Sequence, residues 1–240
     1  MIHSPEKPQI GFDRFIQLEW AESAFRTRAG LTDLQQLLDL LEESHPGTAA
    51  RKKTRTVLNR LWLEPRADLV DFADRAVSIY LEAPDTPIAA LTWGMAMATY
   101  PFFASVAQIV GRLTAIQGDC ASAEIHRRMA EVYGEREGTR RMTNMVLQSQ
   151  ASWGAIDRIG SGKRLARTEK IAVQESAATS WLVEACLHCA GRPLSISGLD
   201  KSPVIYPFEL GSSLSYLLST VPTLEVRTDG TGNQVVSLRA

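Results

Sequence analysis

A mainly helical α+β fold is predicted, in three parts: a helical bundle over residues 1–99, three helices and a hairpin over 100–172, and a small helix-plus-hairpin unit over 173–240. Three observations predict it. Apolar side chains recur at helical spacing through the first two thirds of the chain. Pro and Gly cut that pattern into helix-length pieces. Two short stretches with strand character flank Gly-containing turns, Gly160-Ser161-Gly162 and Asp229-Gly-Thr-Gly-Asn233.

Residues 1–12 are polar, carry Pro5 and Pro8, and read as a loose arm. An amphipathic helix is predicted from Phe15 to Arg28, stopped by Gly30. Thr32 is placed to cap the next helix, Asp33 to Glu43, whose stripe is Leu34, Leu37, Leu38 and Leu41. Past the His45-Pro46-Gly47 turn, helices are predicted over Ala49–Leu63, Ala67–Glu82 and from Thr86-Pro87 to Thr99. No charge occurs from Thr86 to Gly111, long enough to span a bilayer. Pro101 interrupts the stretch and suits a helix first turn, so two buried core helices are predicted instead and no membrane span.

Helices follow over Pro101–Gln117, Ser122–Tyr133 and Arg136–Trp153, with stops at Gly118, Gly134 and Gly154. Residues 155–168 read as a hairpin about Gly160–Gly162. A helix over Val173–Ala190, a short one over Ser212–Ser219 and a terminal hairpin complete the chain.

The order of three helices and a glycine-turn hairpin over 101–172 resembles the winged helix-turn-helix superfamily. The resemblance implies that the third helix enters the major groove of duplex DNA. On the helical period Met142, Met145, Val146, Ser149 and Trp153 fall on one side, a core face. Arg140, Arg141, Asn144 and Gln148 fall on another, a donor row without an acid. Arg can bind guanine bidentately, and Asn or Gln adenine. Arg136 stands at the helix start. Arg158, Lys163, Arg164, Arg167 and Lys170 sit on or beside the hairpin. From Arg136 to Lys170 eight basic residues meet three acids, in a chain of net charge −1. That asymmetry points to a polyanion partner, double-stranded DNA. A second basic run, Arg51, Lys52, Lys53 and Arg55, either grips backbone phosphates or is an ordinary charged helix start.

Residues 173–240 read as a second, degenerate winged helix whose last helix lacks basic residues, a candidate surface for a protein partner or a homodimer. A helical bundle fused to a winged helix is also similar to small accessory proteins of bacterial phage-defence operons, which implies a role in phage defence or transcription regulation. The alternative is a scaffold subunit that docks proteins through the same folds.

No catalytic constellation is apparent, so no enzyme and no cofactor are predicted. Gly160-Ser-Gly162-Lys163 fails the phosphate-loop pattern, with Asp157 and Arg164 where Gly and Ser or Thr belong. Cys186, His188 and Cys189 lack further ligands for zinc, so no metal is predicted. Three cysteines and no secretory leader predict a cytoplasmic protein.

Overall fold

In the computed structural model the described residues are 11–211, 213–230 and 232–239; most of the predicted arm lies outside them. Its last residue, Phe12, is not loose. It is fully buried, with its ring 5.3 Å from those of Tyr100 and Phe103. An aromatic side chain of this size gains more from burial than a short tether costs in entropy.

The bundle runs α1 (Leu18–Arg28), α2 (Leu34–Ser44), α3 (Thr48–Leu58), α4 (Val70–Glu82) and α5 (Ile88–Thr99). Asp33, not Thr32, caps α2: its side chain accepts from the Gln36 N–H at 2.9 Å. The predicted third helix widens at its end into a π-helical turn, Asn59–Leu63. The uncharged stretch becomes α5 and α6 (Pro101–Gln117), with Pro101 in the first turn of α6. Residues 89–99 are all buried, and among the described residues no helix is long and apolar enough to cross a membrane.

After α6 come β1 (Asp119–Ala121), α7 (Ser122–Tyr133), α8 (Glu137–Ser152), β2 (Ile156–Ile159) and β3 (Arg164–Arg167). Left-handed Gly118 ends α6; Gly134 and Gly154, also at positive φ, follow α7 and α8. The three strands form one antiparallel sheet in the order β1-β3-β2, with Leu165 opposite both Cys120 and Arg158.

The rest comprises β4 (Ile171–Val173), α9 (Ser176–Ala190), β5 (Leu194–Ser195), β6 (Phe208–Leu210), α10 (Leu214–Ser219), β7 (Leu224–Thr228) and β8 (Gln234–Leu238). The predicted helix start at Val173 is instead the end of β4, which pairs in parallel with β6. β5, β8 and β7 form a second antiparallel sheet in that order.

One hydrophobic cluster extends from Phe12 to Phe208 and takes residues from all three predicted parts. At its centre, α5 lies against α9 so closely that a Cβ on Gly94 would stand 2.2 Å from the Trp181 ring. Trp181 in turn stacks on Phe72 of α4 at 4.2 Å. A smaller cluster, including Val183, Leu187, Leu218 and Val236, lies under the C-terminal sheet.

Candidate nucleic-acid interface

The inner face of α8 matches the predicted one at Val146, Ser149 and Trp153 and is shifted elsewhere. Thr139, Thr143, Val146, Leu147, Ser149 and Gln150 are buried, whereas Met142 and Met145 are half-buried. Two of these polar residues meet tertiary partners, while Thr143 donates to the Thr139 carbonyl of its own helix. Ser149 Oγ accepts from the Ile16 N–H at 2.8 Å, and Tyr206 donates to Gln150 Oε1 at 3.1 Å.

On the outer face Glu137, Arg140, Arg141 and Asn144 follow the i, i+3, i+4, i+7 spacing of one helical stripe. They line a groove of about 720 Å³. Ser122 and His126 of α7, Arg158 of β2, and Ser161, Gly162 and Lys163 of the hairpin turn complete its walls. The turn is held against α7 by the Ser122 N–H, which donates to the Lys163 carbonyl at 2.9 Å. Gly162 has φ +81°, and a Cβ there would stand 2.6 Å from Arg158 Nη2. Its glycine therefore leaves room for the Arg158 guanidinium to cross the turn and donate to Asn144 Oδ1 at 3.1 Å.

Of the eight basic residues between Arg136 and Lys170, four line this groove: Arg140, Arg141, Arg158 and Lys163. Arg136 is exposed at the start of α8, donates to the Tyr133 carbonyl at 3.0 Å, and lines a neighbouring depression of about 690 Å³. Arg164 is paired with Asp119 across β3 and β1, Nε to Oδ2 at 3.1 Å. Arg167 turns inward. It donates to Thr114 Oγ1 at 2.6 Å and to the Gly111 carbonyl, with its guanidinium 5.2 Å from the centre of the Tyr206 ring. Burial lowers its pKa from the usual arginine value. Arg167 is thus a structural strut, whereas Arg164 remains exposed and ion-paired beside the groove. Gln148 is half-buried and outside the groove; Lys170 is exposed between β3 and β4.

The second basic run sits on α3, which packs chiefly against α1 and the π-helical turn. Arg51 is paired with Glu42, Arg55 is half-buried, and Lys52 and Lys53 are exposed.

Sequence periodicity missed Glu137, Ser122 and His126, and the turn residues Ser161 and Gly162 were not read as part of a site. Glu137 places an acid in the row read as acid-free. Ser122 and His126 reach the site because β1, a strand of only three residues, sets the start of α7 beside the turn. Burial, and next the charge of Arg140, lower the His126 pKa below its ordinary value, which favours the neutral imidazole. With His126 neutral, the groove carries four cations against the Glu137 carboxylate. Guanidinium forks present planar paired donors suited to phosphate and to base edges. Among the described residues no group of three or more His, Cys, Asp or Glu side chains is gathered to hold a metal.

Comparison of the chain with protein-family models, with curated proteins and with solved structures returns no match.

Proposed function

We propose that this chain is a non-enzymatic protein that binds duplex DNA through the groove between α7, α8 and the β2–β3 turn. In this reading residues 101–172 are a winged helix, α8 enters the major groove, and the hairpin is the wing. The observation that carries it is the convergence of Arg140, Arg141 and Asn144 of the helix with Arg158 and Lys163 of the hairpin on one surface. The order helix, strand, helix, helix, hairpin, with the first strand paired to the last, supports the fold reading.

The test is a duplex mobility shift at two salt concentrations. Wild type should bind and weaken as salt rises, because bound counterions are released. The Arg140→Ala/Arg141→Ala variant should lose most of its affinity. Its log–log salt slope should fall by about 0.9 for each phosphate contact removed. Arg167→Ala is the contrast: it should lower stability while leaving affinity of the folded fraction unchanged. Equal affinity in the double variant would remove the reading.

A second reading concerns residues 173–240 alone. Their sheet order, β5-β8-β7, repeats β1-β3-β2, with α9 leading and α10 before the hairpin. Here α10 carries no charge, and Tyr216 on it is 77% exposed. Those features favour a protein contact, with a partner or a second copy, over a phosphate contact.

A further inference from the structure

We infer that Arg158 is a positioning residue that holds Asn144 as a hydrogen-bond donor, so that the groove selects guanine over adenine at the base pair facing Asn144. The inference rests on the DNA-binding reading above.

A guanidinium has donors only, so the Asn144 amide must turn its oxygen toward Arg158 and its NH₂ away from it. No protein acceptor takes that NH₂ among the described residues. A free Asn reads adenine by accepting from N6 while donating to N7. Here one lone pair of Oδ1 is engaged. The adjacent fixed cation also repels the partly positive amino hydrogens of adenine N6. Guanine offers O6 and N7, two acceptors, to the same position and meets no such penalty. Three neighbours, Arg140, Arg141 and Lys163, are donors and push the same way, while Glu137, two turns from Asn144 on α8, is the acceptor of the groove. Gly162 completes the device, since any Cβ there would displace the Arg158 guanidinium.

Selection from a randomised duplex library tests this, at salt low enough for every variant to bind. Circular dichroism checks folding of each variant. Wild type should enrich guanine at one position. Arg158→Met keeps the stem but removes the donor. It should weaken binding to all sequences and, separately, move that one position toward adenine. Asn144→Ala should flatten the preference there and leave other positions unchanged, and it carries the test if Arg158→Met fails to fold. Loss of a single bidentate contact corresponds to about a tenfold or larger change in base discrimination. An adenine preference in wild type overturns the inference. So does binding without sequence preference, or an unchanged profile in the folded variants. Failure of wild type to bind any duplex overturns the DNA-binding reading itself, and the inference with it.

Discussion

Trp153 Nε1 donates to the Ile16 carbonyl at 3.0 Å, between residues 137 positions apart in the sequence. The N–H of the same residue, Ile16, donates to Ser149 Oγ. The segment before α1 is thereby fastened at both polar groups of one residue to the last turn of α8. The helix that lines the groove is thus anchored in the bundle core, where Trp153 also packs on Phe12, Phe103 and Trp93.

Ser149→Ala leaves the Ile16 N–H buried without an acceptor. Trp153→Phe does the same to the carbonyl. Each should cost about 1–3 kcal/mol, the penalty for an unmet buried backbone group. The two losses share one residue, so the double variant should depart from additivity. Urea denaturation reads the energies, and amide exchange at Ile16 should quicken in Ser149→Ala. Unchanged exchange there would show that Ser149 does not hold the segment.

Glu184 of α9 is buried among three partners, on α4, one turn along α9 and just before β7. Arg75 of α4 pairs with its carboxylate, His188 Nε2 lies 3.7 Å away, and Thr223 donates to it at 2.9 Å. Burial raises the carboxyl pKa, but His188, Arg75 and Thr223 together outweigh it, and the net shift is downward. A depressed folded value means stability that is present above the ordinary glutamate pKa of about 4.3 and lost as pH falls through the folded value. Glu184→Gln should therefore be less stable than wild type at pH 7, by about 1–2 kcal/mol given the half-exposed Arg75. The gap should close below about pH 4. A gap that stays constant from pH 7 to pH 3 would rule out the ionised pair as its source.

The helices were legible because local signals mark both ends: Pro101 opens α6, and Gly118, Gly134, Gly154 and Gly191 follow four helices at positive φ. β1, β4 and β6 were not legible. Each has three residues, too few for an alternating pattern, and forms only because a distant strand pairs with it. The site divides the same way. Helical spacing puts Arg140, Arg141 and Asn144 on one face with no tertiary knowledge. The hairpin cations depend on register. Lys163 stays in the turn and faces the groove, while the next residue, Arg164, enters β3 and meets Asp119. Arg167 turns inward because Tyr206 and Thr114 are brought to it by the fold.

His126 should make duplex binding depend on pH. It faces Glu137 and Arg140 of α8, with Ser122 of its own helix and Lys163 of the turn on the same groove. Burial, then Arg140, hold its pKa below the ordinary value of about 6.5 in the free protein. For stability, a depressed histidine value means loss as pH falls below about 6.5, since the unfolded chain then binds the proton more readily. For binding the sign is opposite. Phosphates entering the groove offset the field of Arg140 and favour the imidazolium, so the complex takes up a proton. Affinity should rise as pH falls through the value in the complex and level off below the value in the free protein. The gain is about tenfold for each unit separating the two. His126→Gln should bind as wild type does at pH 8 and lose the rise that wild type shows as pH falls through and below the ordinary histidine value of about 6.5. Fluorescence anisotropy with a labelled duplex through that fall in pH measures it. A pH profile retained in the variant would assign the proton to another group.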